Sequence, residues 1–547
     1  MKQITILAAC LIAGAVCNMA TAQATSAMRK LNTALFAVTQ LYVDSVDENK
    51  LAEDAIKGML EQLDPHSSYS TAEETRELNE PLEGNFSGIG IQFNMNKDTL
   101  YVIQVIAGGP AERVGMRAGD RIVTVNDTAV AGVKMKNTDI MKRLRGPEGT
   151  KVDVGVLRKG TKEPIAFRIT RAQIPIYSID AAYMVDDKTG YIRVSRFAAT
   201  THDEFVEAVD KLREEGMTQL ILDLQGNGGG YLMSSVEMAN EFLNDGQLIV
   251  YTEGDKAPRS EAMAEGTGTF NHGKVVVLVD ESSASSSEIL TGALQDWDRA
   301  VVVGRRTFGK GLVQRPIPFS DGSMIRLTVA RYHTPAGRCI QKPYDKGNEE
   351  YARDLYTRYL NGELMHADSI HFADSLQYST LVNHRTIYGG GGIMPDVFVP
   401  LDTTRITDYH RDIVAKGTLN QYAINYIDRN RKRLANQYKK VYDFDRQFEI
   451  NDKMLQELKK LGDADSVKYD EEQAARSQKL IAQQLKALIA RDLFDTGAYF
   501  MVMNPSDPTF IKALEIINNN EEYDKLLGRK PDDGSTPHMN RTTPGEM

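Results

Sequence analysis

The sequence predicts a multidomain α+β chain: a helical N-terminal region, a small β-rich domain, a mixed α/β core and a helical C-terminal region. Two observations carry this reading. At 547 residues the chain exceeds what one hydrophobic core organises. The apolar pattern also changes period along it. Helical stripes run over 26–83 and strand-like alternation over 84–172. Buried apolar runs then alternate with helical patterns over 173–401, and helical stripes return over 402–528. Composition is that of a globular protein, 41% hydrophobic and 26% charged, and a formal charge of −10 argues against nucleic acid as a partner.

The first residues, MKQITILAACLIAGAVCNMATAQA, combine a basic start at Lys2, an apolar run from Ile4 to Val16 and an A-x-A site at Ala20 and Ala22. This predicts a signal peptide over 1–22 and an exported, periplasmic chain. The run is shorter than the ~20 residues of a spanning helix. Of three cysteines, Cys10 and Cys17 lie in this stretch. Cys339 is then alone, which excludes an internal disulfide or a cysteine-built metal site in the mature chain.

Next, Leu31, Leu35, Val38, Leu41 and Tyr42 form one helical stripe, and Leu51, Ala55, Met59, Leu60 and Leu63 another, ended by Asp64-Pro65. His66 reads as a structural residue after a helix stop. FSGIGIQF, LYVIQVI and KVDVGVLR are strands of the β-rich domain. In the core, THDEFVEAVDKLREEG is an amphipathic helix with Phe205, Val209 and Leu212 inward and Gly216 as its stop. QLILDL is a buried strand running into QGNGGG; a dinucleotide fingerprint there would need glycine where Tyr231 stands. LVQRPIPF and SMIRLTVARYHT form a hairpin around Asp321-Gly322-Ser323. Residues 341–387 read as an insertion, and YGGGGIMPDVFVP returns to a strand, with the core ending near Leu401. The tail 529–547 is rich in Pro, Asp and Thr and reads as disordered.

The chemistry concentrates in DESSASSSEILTGALQDWDRAVVVGRRTFGKGLVQ, from Asp280 to Gln314. The apolar run Val275–Val279 is a strand, and Ile289, Leu290, Ala293, Leu294 and Trp297 recur at helical spacing. The serines from Ser282 to Ser287 therefore sit where a strand turns into a helix. Unpaired N–H groups and the helix dipole favour negative charge there, so a serine could attack a carbonyl while amides hold the oxyanion. Helix capping needs only one of these serines. A phosphate loop from Gly304 to Lys310 is the rival, but Gly311 stands where the Mg²⁺-binding hydroxyl belongs.

SASSSEI followed by TFGKGLVQ resembles the carboxyl-terminal processing (tail-specific) peptidases, Ser–Lys serine proteases with a PDZ domain and a crotonase/ClpP-like core. The resemblance covers roughly residues 30 to 400 and includes KLAEDAIKGMLEQLDPHSSY, GPAERVGMRAGDRIVTVN and GGIMPD. It implies Ser285 as nucleophile, Lys310 as base twenty-five residues later, and Gln314 as the residue assisting the lysine. DLQGNGGG stands where the family has DLRxNPGG, with Gln225 for arginine and Gly228 for proline. Gly229 or Gly230 would be the oxyanion donor of this loop, Gly229 being taken here together with Ser286. In the PDZ domain Gly88, Ile89, Gly90 and Ile91 would take a peptide carboxylate. Arg145, in LRGPEGT, is a candidate gate between the PDZ domain and the core.

The implied function is an exported serine endopeptidase acting on protein or peptide substrates with free C-termini. No cofactor or metal is expected. Phe308, Leu312 and Val313 would supply the apolar setting that brings a lysine amine from pKa ~10.4 to ~7–8. Homo-oligomers through the helical terminal regions are expected as further partners; an activating adaptor is not identifiable from sequence. Two other classes compete: a catalytically silent PDZ scaffold and, behind it, a P-loop nucleotide hydrolase.

Overall fold

The computed structural model describes residues 26–96 and 98–529, so the expected signal peptide and most of the tail lie outside the described residues. The chain divides into two compact units. One comprises the described residues to Ala72 with Arg315–Leu327, the other Glu73–Gln314 with residues from Thr328 onward.

In the first unit, helices Ser26–Leu41 and Glu48–Leu60 follow the two apolar stripes, the second capped by Asp47, whose side chain accepts from Asn49 and Lys50 N–H. Strand Ser68–Ser70 pairs antiparallel with the start of strand Met324–His333, Tyr69 opposite Ile325. Helix Ser26–Leu41 buries no residue, and Phe36 and Leu41 are 66% and 78% exposed.

The second unit begins with helix Ala72–Glu83 and an antiparallel sheet ordered Ile91–Asn96, Thr99–Val105, Arg121–Val125, Lys151–Leu157, Ile165–Thr170. Lys151–Leu157 shows why: every second residue, Val152, Val154 and Val156, is buried. Helix Asn137–Leu144 closes this small core with Ile140 and Leu144.

The large core is a sheet of six strands. Ile179–Met184 pairs antiparallel with Thr189–Val194, and Gln219–Asp223, Lys274–Val279, Val301–Gly304 and Val397–Phe398 follow in parallel. Parallel strands must be covered on both faces, which is why they read as unbroken apolar runs. Val275, Val277 and Val279 face helices Thr201–Glu214, Leu232–Asn240 and Ser286–Asp296. Val276 and Leu278 face the other way, onto Phe510, Ala513, Ile516 and Ile517 of helix Pro508–Asn518 and Tyr523 of helix Asn520–Leu526. The last two helices among the described residues thus form the second layer of the core. Residues 408–503 build a separate helical core around Ile427, Leu434, Phe444, Leu485 and Ile489. Among the described residues no helix is long and apolar enough to cross a membrane.

Candidate active site

Strand Lys274–Val279 runs out at Asp280, whose Oδ1 accepts from the N–H groups of Gly226, Ser282 and Ser283 and so folds the serine turn onto the loop after Asp223. Burial pushes the Asp280 carboxyl up, against those hydrogen bonds. The serines of the turn then separate by role. Ser283 Oγ donates to the Leu224 carbonyl (2.9 Å), Ser287 Oγ to the Asn227 carbonyl (2.8 Å), and Ser286 Oγ lies 3.1 Å from the Gly230 carbonyl. These three hydroxyls fasten the turn to residues 224–231. Ser285 is half-buried, at the head of helix Ser286–Asp296, with φ 57° and ψ −115°. Positive φ is strained for a residue with a Cβ and clusters at functional turns.

Two buried side chains tie this turn to the lysine loop. Glu288 accepts the N–H groups of Ser285 (2.8 Å) and Lys310 (2.9 Å) on Oε2. Its Oε1 accepts the Gly309 N–H (2.7 Å) and the Thr307 hydroxyl (2.6 Å). Complete burial pushes the Glu288 carboxyl up to about 7, although all four bonds favour the carboxylate. From the other side the Tyr332 hydroxyl meets the carbonyls of Ser285 (3.2 Å) and Lys310. Burial raises Tyr332 well above the ordinary tyrosine range, so it remains a donor. The backbones of Ser285 and Lys310 are therefore clamped together at both N–H and carbonyl.

Lys310 is half-buried beside buried Leu312. Phe308 turns to Tyr351 and to Lys342, whose Nζ lies 4.0 Å from the ring centre. Gln314 Nε2 donates to the Leu312 carbonyl (3.1 Å) and Thr328 Oγ1 (3.2 Å), which fixes the amide plane. Gly309, at φ 88°, passes so close to Gly392 that an added Cβ would lie 3.0 Å from its nitrogen.

On the facing loop Gly229 has φ 99°, and a Cβ there would lie 2.8 Å from Ser285 Cβ and 3.0 Å from the Ser286 nitrogen. Only glycine fits. Its own N–H donates to Asn227 Oδ1 at 2.9 Å. Ser286 opens the helix, where N–H groups have no intrahelical acceptor.

In the small β-domain, Ile91–Asn96 is an edge strand. The carbonyls of Ile89 and Gly90 accept from Ala111 (2.8 Å) and Ile106 (3.0 Å). In trans peptides the following N–H groups, of Gly90 and Ile91, then point away from the domain. Gly88 pairs with Ala172 and Ile89 is buried. Arg145 ends helix Asn137–Leu144, donates to Glu80 Oε2 (2.5 Å) and lies over the Phe86 ring at 4.5 Å. Its partner thus belongs to helix Ala72–Glu83, which Lys142 also reaches through Glu73.

Sequence reasoning did not assign Glu288, Tyr332 or Asn227. Glu288 carried a usable signal, since it stands three residues after Ser285, in the capping-box position. Asn227 stands at the asparagine of the DLRxNPGG pattern, also a usable signal, whereas Tyr332 carried none.

Family models match four parts of the chain: Peptidase family S41 over 188–347, PDZ domain over 87–168, Activating protease CtpB N-terminal domain over 14–75, and a family of unknown function over 409–495. The carboxy-terminal processing protease CtpB of Bacillus subtilis (strain 168) is 36% identical over 333 residues, 59% of this chain and 68% of its own length. A probable CtpA-like serine protease of Staphylococcus aureus (strain N315) is 37% identical over 303 residues, 55% of this chain and 60% of its own length. A solved photosystem II D1 C-terminal processing protease aligns at 31% identity over 58% of this chain and 91% of that chain, with a TM-score of 0.33.

Proposed function

The chain belongs to peptidase family S41, the carboxyl-terminal processing serine proteases, and on that premise we propose that it cleaves peptide bonds with a Ser285–Lys310 dyad and selects substrates by their free C-terminal tails. The observation that carries this reading is the double clamp of Glu288 and Tyr332 on the backbones of Ser285 and Lys310. A nucleophile and its base need such fixed proximity.

A neutral Lys310 amine takes the Ser285 proton as Oγ attacks the substrate carbonyl. The Gln314 amide is anchored by its nitrogen to Thr328 and Leu312, and in this reading its oxygen accepts from the amine. The oxyanion is held by the N–H groups of Ser286 and Gly229. A developing negative charge is a stronger acceptor than the neutral Asn227 amide, so it draws the Gly229 N–H away. The peptide C–N bond breaks, the leaving amine takes the proton from Lys310, and water resolves the acyl-enzyme by the same route in reverse. The edge strand Ile91–Asn96 and the outward N–H groups of Gly90 and Ile91 suit an extended tail that adds as a strand and ends in a carboxylate. A second copy of the chain is the reading for the apolar face of helix Ser26–Leu41, and export is the reading for residues 1–22.

Ser285→Ala and Lys310→Ala each abolish hydrolysis in folded protein, and a serine-reactive phosphonate labels Ser285. Activity retained by Ser285→Ala, with Ser283 or Ser287 labelled instead, refutes the register. Amidating a substrate's C-terminus slows cleavage; equal rates for acid and amide refute tail selection. Mass spectrometry of the native protein tests export through a mature N-terminus at Gln23.

A further inference from the structure

We propose that Asp507, on the C-terminal helices, is a positioning residue for catalysis, holding the loop Gln225–Gly230 in place through the Gln225 side chain. The proposal rests on the reading that this loop supplies an oxyanion donor.

The chain departs from the family pattern at Gln225, and the structure gives that residue a specific partner. Gln225 Nε2 donates to Asp507 Oδ2 at 3.1 Å, across 282 positions of sequence. The other carboxylate oxygen, Oδ1, accepts the Thr509 N–H and caps helix Pro508–Asn518. That helix is a firm anchor, since Phe510, Ala513, Ile516 and Ile517 are buried against the core sheet. A hydrogen bond to a carboxylate is also stronger than one between neutral groups.

The Gln225 backbone is held as well. Its N–H donates to Asp223 Oδ1 (2.8 Å) and its carbonyl accepts from Arg193 Nη2 (2.7 Å). Arg193 pairs with Asp223 and lies over the ring of Phe500, 4.5 Å from its centre. Two side chains of the C-terminal region, Phe500 and Asp507, therefore bear on the entry to the loop. Two residues later Asn227 connects the loop to the nucleophile turn. Its carbonyl accepts the Ala284 N–H and the Ser287 hydroxyl, its Oδ1 the Gly229 N–H, and its Nδ2 donates to the Val194 carbonyl. Movement at Gln225 reaches Gly229 through this short, fully bonded path. The C-terminal helices then form a working part of the protease, not an appendage.

Asp507→Ser tests this, because serine retains the helix cap and removes the acceptor for Gln225. The expected result is a roughly tenfold fall in kcat with KM changed less than about twofold, a fraction of the 10²–10³ lost with a whole oxyanion donor. Affinity for a peptide aldehyde, whose adduct carries the oxyanion, falls by the same factor as kcat/KM. Gln225→Leu, which disturbs no helix cap, shows the same loss, and the double variant is no worse than either single one. An unchanged kcat in either single variant, a loss confined to KM, or additive losses in the double variant overturn the proposal. Labelling of wild-type Ser285 by a phosphonate is measured alongside. If labelling fails, the dyad reading falls and this proposal with it; if labelling succeeds and Asp507→Ser is fully active, only the Asp507 proposal falls.

Discussion

Replacing Glu288 by glutamine changes one atom of the clamp between Ser285 and Lys310. The carboxylate accepts four hydrogen bonds, two on each oxygen. An amide has one oxygen. With its NH₂ turned toward Thr307, the hydroxyl there can rotate to accept, but the Gly309 N–H loses its acceptor. The opposite orientation leaves the N–H groups of both Ser285 and Lys310 unpaired. The smaller loss is one buried N–H, about 1–3 kcal/mol. Expressed wholly in the transition state, this lowers kcat by about 5- to 150-fold. Stability carries a second signature. The Glu288 carboxyl stands at about 7 in the folded protein against an ordinary 4.5, so between these values the native state binds the proton more tightly than the unfolded chain. Its contribution is therefore full below pH 4.5 and is lost as pH rises through 7. A gap of about 2.5 pH units, at about 1.36 kcal/mol each, makes the loss about 3 kcal/mol. Glutamine cannot titrate, so this slope disappears in the variant. Hydrolysis of a fluorogenic peptide at pH 8 reads the first effect, and denaturant unfolding at pH 4.5 and 8 reads the second. A variant with kcat within twofold of wild type and the same pH slope would refute the clamp.

Gly229→Ala inactivates the enzyme at least ~100-fold, because its Cβ would meet Ser285 Cβ at 2.8 Å while oxyanion donors are each worth 10²–10³; an active, folded alanine variant contradicts this. Tyr332→Phe leaves the Ser285 and Lys310 carbonyls without their shared donor, costing about 1–3 kcal/mol in thermal unfolding and lowering kcat more than KM. Arg145→Met removes the bond to Glu80 and shifts stability by less than ~1 kcal/mol, the usual worth of a part-exposed pair. It also narrows the preference for free-acid over amidated tails. An unaltered preference leaves Arg145 as a packing contact to Glu80 and Phe86 with no part in tail selection.

Much of the candidate site could be read locally. Helix Thr201–Glu214 appears with Phe205, Val209 and Leu212 buried as the 3.6-residue spacing requires. The serine run meets helix Ser286–Asp296 where the pattern changes from strand to helix. Assignment of Ser285 over its neighbours comes from motif resemblance; the hydroxyls of Ser283, Ser286 and Ser287 bond to backbone carbonyls of residues 224–231.

The features legible in the sequence are therefore local: the type of each element, the strand-to-helix turn carrying Ser285, and the glycines that let the chain pass closely around it. Each follows from side chains within a few positions of one another. Tertiary structure decided what lies across from them. Periodicity shows that Val276 and Leu278 are buried, but not that Phe510 and Ile517 cover them. It shows a tyrosine in a strand, but not that Tyr332 reaches back 47 positions to the Ser285 carbonyl. Gln225 reads only as a departure from a motif until helix Pro508–Asn518 brings Asp507 to it. The physical reason is that burial constrains only how apolar or polar a residue is. Which distant group satisfies it depends on chain topology, and no local pattern encodes that.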